Sequence, residues 1–200
     1  MSDEERENWD ERYRSGGYQP MPSAGPFLEK WISTFPVGRA LDIACGAGRN
    51  AIRLAEAGHT VDAIDIPTAG IDLARSEAAQ RHLDVNWIVA DLDDYELETA
   101  TYDLITVIRF VDRDLWPRLI DALAPDGWVL VEQHMQTDLD VRGPGSKSFR
   151  LGPQEFLRAF ADLRIVYYEE SVEPSDNPAD PGDGSYAIAR MVACNGNPGF

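Results

Sequence analysis

Two cysteines in 200 residues, Cys45 and Cys194, leave no disulfide framework to read. Lysine is almost missing as well: Lys30 and Lys147 are the only two, and every other cation is an arginine. Against 18 Lys and Arg stand 35 Asp and Glu, a formal net charge of −17. Such a chain is not expected to bind nucleic acid or an anionic membrane surface nonspecifically, because a basic face drives that binding. No apolar run approaches the ~20 residues of a membrane span. The opening Met1-Ser-Asp-Glu-Glu-Arg-Glu is acidic and polar, unlike a secretory signal. A cytoplasmic protein, monomeric or homodimeric, is the expectation. Many aspartates with few lysines suit two origins, adaptation to high salt or a simply acidic enzyme from a GC-rich genome, and the sequence leaves both open.

What is present is a globular composition, 44% hydrophobic. At this length a chain buries roughly 70% of its unfolded surface and needs no covalent staple. One α/β domain is expected over 1–200, with no repeat. Its parts read as an N-terminal helical cap or lid (1–35), a run of βα units (36–134) and a C-terminal helix with a β-hairpin (135–200).

The chain is organised around Arg39-Ala-Leu-Asp-Ile-Ala-Cys-Gly-Ala-Gly-Arg-Asn50. Ala40–Ala44 reads as a buried strand that stops at Gly46 and Gly48. A helix follows at once, with Ala51, Ile52, Leu54 and Ala55 on one face and Gly58 as its stop. Glycines there let the backbone approach a ligand, and the helix start offers unpaired N–H groups. Strand two, His59–Asp65, ends on a carboxylate suited to two ribose hydroxyls, at the strand end where open α/β sheets bind ligands. Thr68 is expected to cap the next helix, whose apolar side is Ile71, Leu73, Ala74 and Ala78. Strands three to five read as Val85–Ala90, Tyr102–Ile108 and Trp128–Val131. Ser23 and Asp114 are expected to cap two further helices, and Pro153 to start another. Leu163–Tyr168 and Tyr186–Ala193 read as strands flanking a Pro/Asp/Gly-rich loop, Pro174–Gly184. Trp9 and Tyr13 stand one helical turn apart in a polar terminus. They fit either a lid over a ligand or an edge helix. Cys45 has no neighbouring His or Lys to activate it and reads as a small buried filler.

Gly46-x-Gly48-x-x-Ala51 with Asp65 about twenty residues on also fits a dinucleotide fingerprint. Asp42 argues against that reading. A carboxylate near the end of strand one is unhelpful beside a pyrophosphate and useful near the ammonium of a methionine moiety. No Tyr-x-x-x-Lys supplies hydride-transfer machinery. Leu-Asp-Ile-Ala-Cys-Gly-Ala-Gly resembles the first motif of class I methyltransferases, departing from it at the first glycine, which is Ala44. Cys-Gly-Ala-Gly-Arg-Asn and Trp-Asp-Glu-Arg-Tyr are similar to the small tellurite-resistance-type members.

The resemblance implies a Rossmann-like fold: a mostly parallel seven-stranded sheet, an antiparallel C-terminal hairpin, and helices on both faces. It implies S-adenosyl-L-methionine as cofactor, S-adenosyl-L-homocysteine as product, no metal, and a small-molecule acceptor, an oxyanion, thiol or metabolite. It implies a cofactor site made of Tyr13, Asp42, Ala44, Cys45, Gly46, Gly48, Asn50, Asp65, Ile66, Asp91, Leu92 and Ile108. Asp91 and Leu92 resemble the pair that receives the adenine edge. An NAD-dependent oxidoreductase and a non-catalytic adenosyl-binding scaffold remain as alternatives.

Arg109 and Phe110 leave strand four at its carboxyl end, and His134 leaves strand five. An arginine after an apolar strand is costly to bury alone and can hold an anion bidentately. Arg109 is therefore expected to hold a small anionic acceptor, with Arg113 close by and His134 accepting a proton near neutral pH. The competing expectation pairs Arg109 with Asp112, Asp114 or another acid. On the substrate reading, Arg109→Ala leaves the melting temperature nearly unchanged.

Overall fold

The computed structural model describes residues 3–17, 20–174 and 184–199. Seven strands form one sheet: β1 (Arg39–Ile43), β2 (Thr60–Asp65), β3 (Asn86–Val89), β4 (Tyr102–Ile108), β5 (Leu123–His134), β6 (Arg164–Pro174) and β7 (Ser185–Cys194). Their order is β3-β2-β1-β4-β5-β7-β6. Only β7 runs against its neighbours, pairing antiparallel with both β5 and β6. Pro174 faces Ser185 across the hairpin, and the rest of the loop expected there, 175–183, lies outside the described residues.

Alternation along the strands builds two cores, one on each face. Leu41, Ile43, Ile105, Val107, Val129 and Val131 pack with α5 (Leu115–Ala122) and α6 (Glu155–Ala159) through Leu115, Trp116, Leu119 and Phe156. Ala40, Val61, Ala63, Leu104 and Leu130 pack on the other face with Phe27 and Leu28 of α2 (Pro26–Trp31), Ala51 and Leu54 of α3 (Arg49–Glu56), and Ile71 of α4 (Thr68–Gln80). β4 is buried along nearly its whole length, as a central parallel strand covered on both faces must be.

Several local expectations give way to tertiary contacts. Gly25, not Ser23, is the N-cap of α2, and it makes no side-chain cap. Thr68 is the first residue of α4 after Pro67, and Asp10 of α1 (Asp3–Arg14) caps that helix instead, accepting from the Ala69 N–H at 2.8 Å. Leu73, expected on the buried side of α4, is 45% exposed. Asp114 precedes α5 without a side-chain cap bond. Pro153 does not open α6, whose N-cap is Gln154 in a left-handed conformation. Strand five, expected from Trp128, begins instead at Leu123: pairing jumps from Tyr102↔Leu123 to Leu104↔Trp128, so the extra residues form a bulge.

Candidate functional site

A cleft of about 950 Å³ opens over the carboxyl ends of β1, β2, β4 and β5. That lies near the top of the roughly 300–1,000 Å³ range of small-molecule sites. Of the residues expected to form the site, Tyr13, Ala44, Cys45, Gly46, Asn50, Asp65, Ile66, Leu92, Ile108, Arg109 and His134 all border it.

The half of the cleft near β1 and β2 is a backbone cradle. Ala44 takes φ +54°, the left-handed conformation that glycine adopts most easily, where the family motif has its first glycine. Gly46 takes φ +59°, and its N–H donates to Asp65 Oδ2 at 2.6 Å. The Ile66 N–H donates to Asp65 Oδ1 at 2.7 Å. Each carboxylate oxygen thus holds one N–H and retains acceptor capacity. Burial nevertheless pushes the Asp65 carboxyl up to about 6, the two N–H donors opposing it. Tyr13 of α1 sits between two glycines. A Cβ on Gly46 would lie 2.8 Å from the tyrosine oxygen, and one on Gly70 would lie 3.0 Å from its ring. Asn50 borders the cleft while its side chain accepts from the Gly25 N–H at 2.9 Å, tying α2 to α3.

Three expected site residues do not border the cleft. Gly48 is a packing glycine: with φ +80°, a Cβ there would meet Trp87 at 2.5 Å and Ala74 at 2.7 Å. Asp42 is 1% exposed, because strand alternation turns it under α3 rather than toward the opening. Its Oδ1 accepts from Thr106 Oγ1 at 2.7 Å, Oδ2 is buried without a hydrogen-bond partner, and burial pushes the carboxyl up to about 7. The nearby Arg49 opposes that shift, and its own Nη1 is a buried donor without a partner. Asp91 turns its carboxylate back to the Asp93 N–H at 3.0 Å, leaving Ala90 and Leu92 on the wall.

The other half is cationic. Arg109, at φ +64°, donates its N–H to the Glu132 carbonyl at 2.8 Å and its Nε to Glu132 Oε1 at 2.8 Å. Among the described residues the acid that pairs with it is Glu132, the other acid of that expectation rather than Asp112 or Asp114. Glu132 is 2% exposed and also accepts from Arg190 Nε at 2.6 Å. Burial raises its carboxyl, but the two guanidinium groups outweigh that and hold it below the ordinary value. Arg109 lies 4.7 Å from the Tyr186 ring centroid, and its Nη1 is 3.0 Å from His134 Nε2. Arg150 donates to the carbonyls of Met135, Arg142 and Pro144, fixing the loop beside His134. Burial first, then Arg109 and Arg150, push His134 down to about 3. Burial and the Arg109 guanidinium against Nε2 thus both disfavour an added proton on His134, opposing its expected role as a proton acceptor near neutral pH. Arg113 points elsewhere, pairing with Glu155 and with the Ser148 carbonyl. Tyr186, Gly143 and Glu132 carry no local sequence signal, since long-range strand pairing and a loop bring them here, whereas Arg49 lies in the glycine motif itself.

Residues 40–127 match the family model described as a methyltransferase domain. The chain is 24% identical over 191 residues to a ubiquinone biosynthesis O-methyltransferase of Bordetella avium, covering 90% of this chain and 77% of that one. It is 30% identical over 159 residues to a cypemycin N-terminal methyltransferase of a Streptomyces species, covering 74% of this chain but only 57% of that protein. TehB of Haemophilus influenzae has a similar structure, with TM-score 0.74, 22% identity, and coverage of 92% of this chain and 66% of that one. The matched domain and these relatives are those of methyltransferases, and the sheet order is that of the Rossmann-like class I S-adenosylmethionine-dependent methyltransferase fold.

Proposed function

We propose that this protein transfers a methyl group to a small anionic or thiol-like acceptor held in the Arg109–His134 half of the cleft. The observation that carries the proposal is the division of one cleft into a glycine-and-carboxylate half and a cationic half, in a chain of net charge −17.

The residues of the first half fit the cofactor of the family. Asp65 keeps a free acceptor direction on each oxygen for a pair of ribose hydroxyls. Ile66, Pro67 and Leu92 offer apolar walls for a flat base. Gly46 brings its backbone to the cleft close under the Tyr13 hydroxyl, and the Asp42 carboxyl lies buried beneath the turn. When bound, S-adenosylmethionine supplies an electrophilic methyl group. Tyr13 and α1 act as a lid that excludes water from the first half. Arg109, held in place by Glu132, orients the acceptor and offsets its charge. Methyl displacement needs little beyond such positioning and a dry site, so no side chain is assigned as a base.

The test is product formation. The protein is incubated with S-adenosylmethionine and, separately, a simple thiol, iodide, a carboxylate, a neutral alcohol and a primary amine. Release of S-adenosylhomocysteine with the thiol, iodide or carboxylate is expected. Turnover confined to the alcohol or the amine would overturn the acceptor class.

A further inference from the structure

Arginine carries only donors, so the 3.0 Å approach of Arg109 Nη1 to His134 Nε2 makes that nitrogen an acceptor. A neutral imidazole with a bare Nε2 carries its hydrogen on Nδ1. His134 Nδ1 is buried and has no hydrogen-bond partner, and the whole side chain is 7% exposed. A buried polar group in that condition is costly and calls for an explanation. The ring borders the cleft, packed edge-on to Tyr186 with centroids 5.0 Å apart. Beside Nδ1 lies Gly143, also on the cleft wall: a Cβ there would stand 2.7 Å from the nitrogen. Gly143 takes φ +115° in a stretch, 143–146, that forms neither helix nor strand.

The charged and titratable groups around His134 come from three directions. Arg109 faces it from the end of β4, Arg150 from the loop that follows β5, and Tyr186 from β7. Glu132 is engaged by Arg109 and Arg190. A second hydrogen on the ring would have to sit on Nε2, against the guanidinium that now donates to it.

We infer that His134 serves the methyl acceptor as a hydrogen-bond donor through Nδ1–H, its tautomer fixed by Arg109, and that the Gly143 backbone, which lies against that nitrogen only because it has no Cβ, covers the N–H until the acceptor enters. This rests on the reading of the cationic half as the acceptor site. An outward shift of the 143–146 backbone uncovers the N–H. The acceptor then meets two donors, Arg109 and His134, and neither removes a proton. The substrate class that fits is an acceptor that arrives already ionised: a thiolate, a carboxylate or a soft inorganic anion. A neutral alcohol, or an ammonium that must first lose a proton, does not fit.

The test uses uniformly ¹⁵N-labelled protein saturated with S-adenosylhomocysteine, read by long-range ¹H–¹⁵N correlation of its three histidines. His59 supplies the contrast, because its Nδ1 accepts from the Gly38 N–H and its hydrogen must therefore sit on Nε2. His134 is expected to show the opposite tautomer, unchanged between about pH 5 and 8, where an ordinary histidine titrates. Sodium iodide and sodium acetate are then titrated at constant ionic strength. At least one is expected to move the His134 Nδ1–H and the Arg109 Nε–H together and saturably. A hydrogen on Nε2, or a charged ring at neutral pH, overturns the inference whatever binds. A saturable shift at Arg109 with His134 unmoved overturns it while leaving the anionic-acceptor reading intact. No saturable response at either residue with either anion overturns both.

Discussion

Thr106 and Asp42 are register partners on adjacent parallel strands, and the threonine hydroxyl donates to the buried carboxyl oxygen at 2.7 Å. That bond, even with the Ala51 N–H and the Arg49 charge acting in the same direction, does not offset the loss of water, so the Asp42 carboxyl rises from 3.8 to about 7. A carboxyl raised on folding contributes stability below its unfolded value and loses it as pH rises through the folded value. Burial at His134 acts in the other direction: lowered from 6.5 to about 3, it contributes stability above pH 6.5 that is lost as pH falls. The two oppose each other, so the prediction is differential. Asp42→Asn should gain stability relative to the parent protein as pH rises from about 4 to about 7. Urea midpoints for both proteins across that range provide the check, and a constant difference would reject it.

Asp65→Ala should weaken S-adenosylhomocysteine binding by about 1.5–3 kcal/mol, the scale of hydrogen bonds to a charged group. Calorimetry measures it directly. The parent protein should bind neither NAD nor NADH measurably, and tight NAD binding would contradict the assignment of the glycine turn.

Arg109 is part of a buried charge chain, and this changes what its removal should do. Deleting one partner of such a pair leaves an uncompensated charge, at a cost of about 3–5 kcal/mol. Glu132→Gln should lose stability toward the lower end of that scale, because it removes the buried carboxylate shared by Arg109 and Arg190 while Arg190 keeps its pair with Glu173. Arg109→Ala should lose less, since Arg190 still neutralises Glu132. Its melting temperature should nonetheless fall, contrary to what Arg109's place in the sequence suggests. The folded fraction should keep its S-adenosylhomocysteine affinity and lose turnover. An unchanged melting temperature for Glu132→Gln would show that the charge chain is not formed.

Helix α1 is fastened by Asp10 on the Ala69 N–H and by Tyr13 between two glycines. S-adenosylhomocysteine should slow proteolysis near residue 15, and Asp10→Ala should restore cleavage while costing about 1 kcal/mol, the usual worth of a cap. Equal cleavage with and without ligand would make α1 a plain edge helix.

With net charge −17, the folded chain repels itself. Raising KCl from about 0.1 M to 1 M shortens the Debye length from about 10 Å to about 3 Å. The melting temperature should rise over that interval if the acidic surface is a salt adaptation, and a flat or falling curve would remove that explanation.

The sequence by itself determined most of the elements and the glycine-and-carboxylate half of the cleft. β1, the Gly46 turn, α3 and the carboxylate closing β2 are local features: a few residues' φ preference, apolar period and strand end suffice to read them. Local reading failed where a side chain's direction mattered. Gly48 and Asp42 lie in the right stretch, but packing against Trp87 and strand alternation turn them away from the cleft. In the cationic half, Arg109 and His134 were legible as strand-end residues, but their partners were decided by tertiary structure. Glu132 meets Arg109 because β4 pairs with β5, so that Ile108 lies opposite Glu132. It meets Arg190 because β7 inserts beside β5 in the register Glu132↔Arg190. Among 35 acidic residues nothing local singles out Glu132. An ion pair's partner is chosen by strand register across the sheet, and that register is set by the packing of the whole domain.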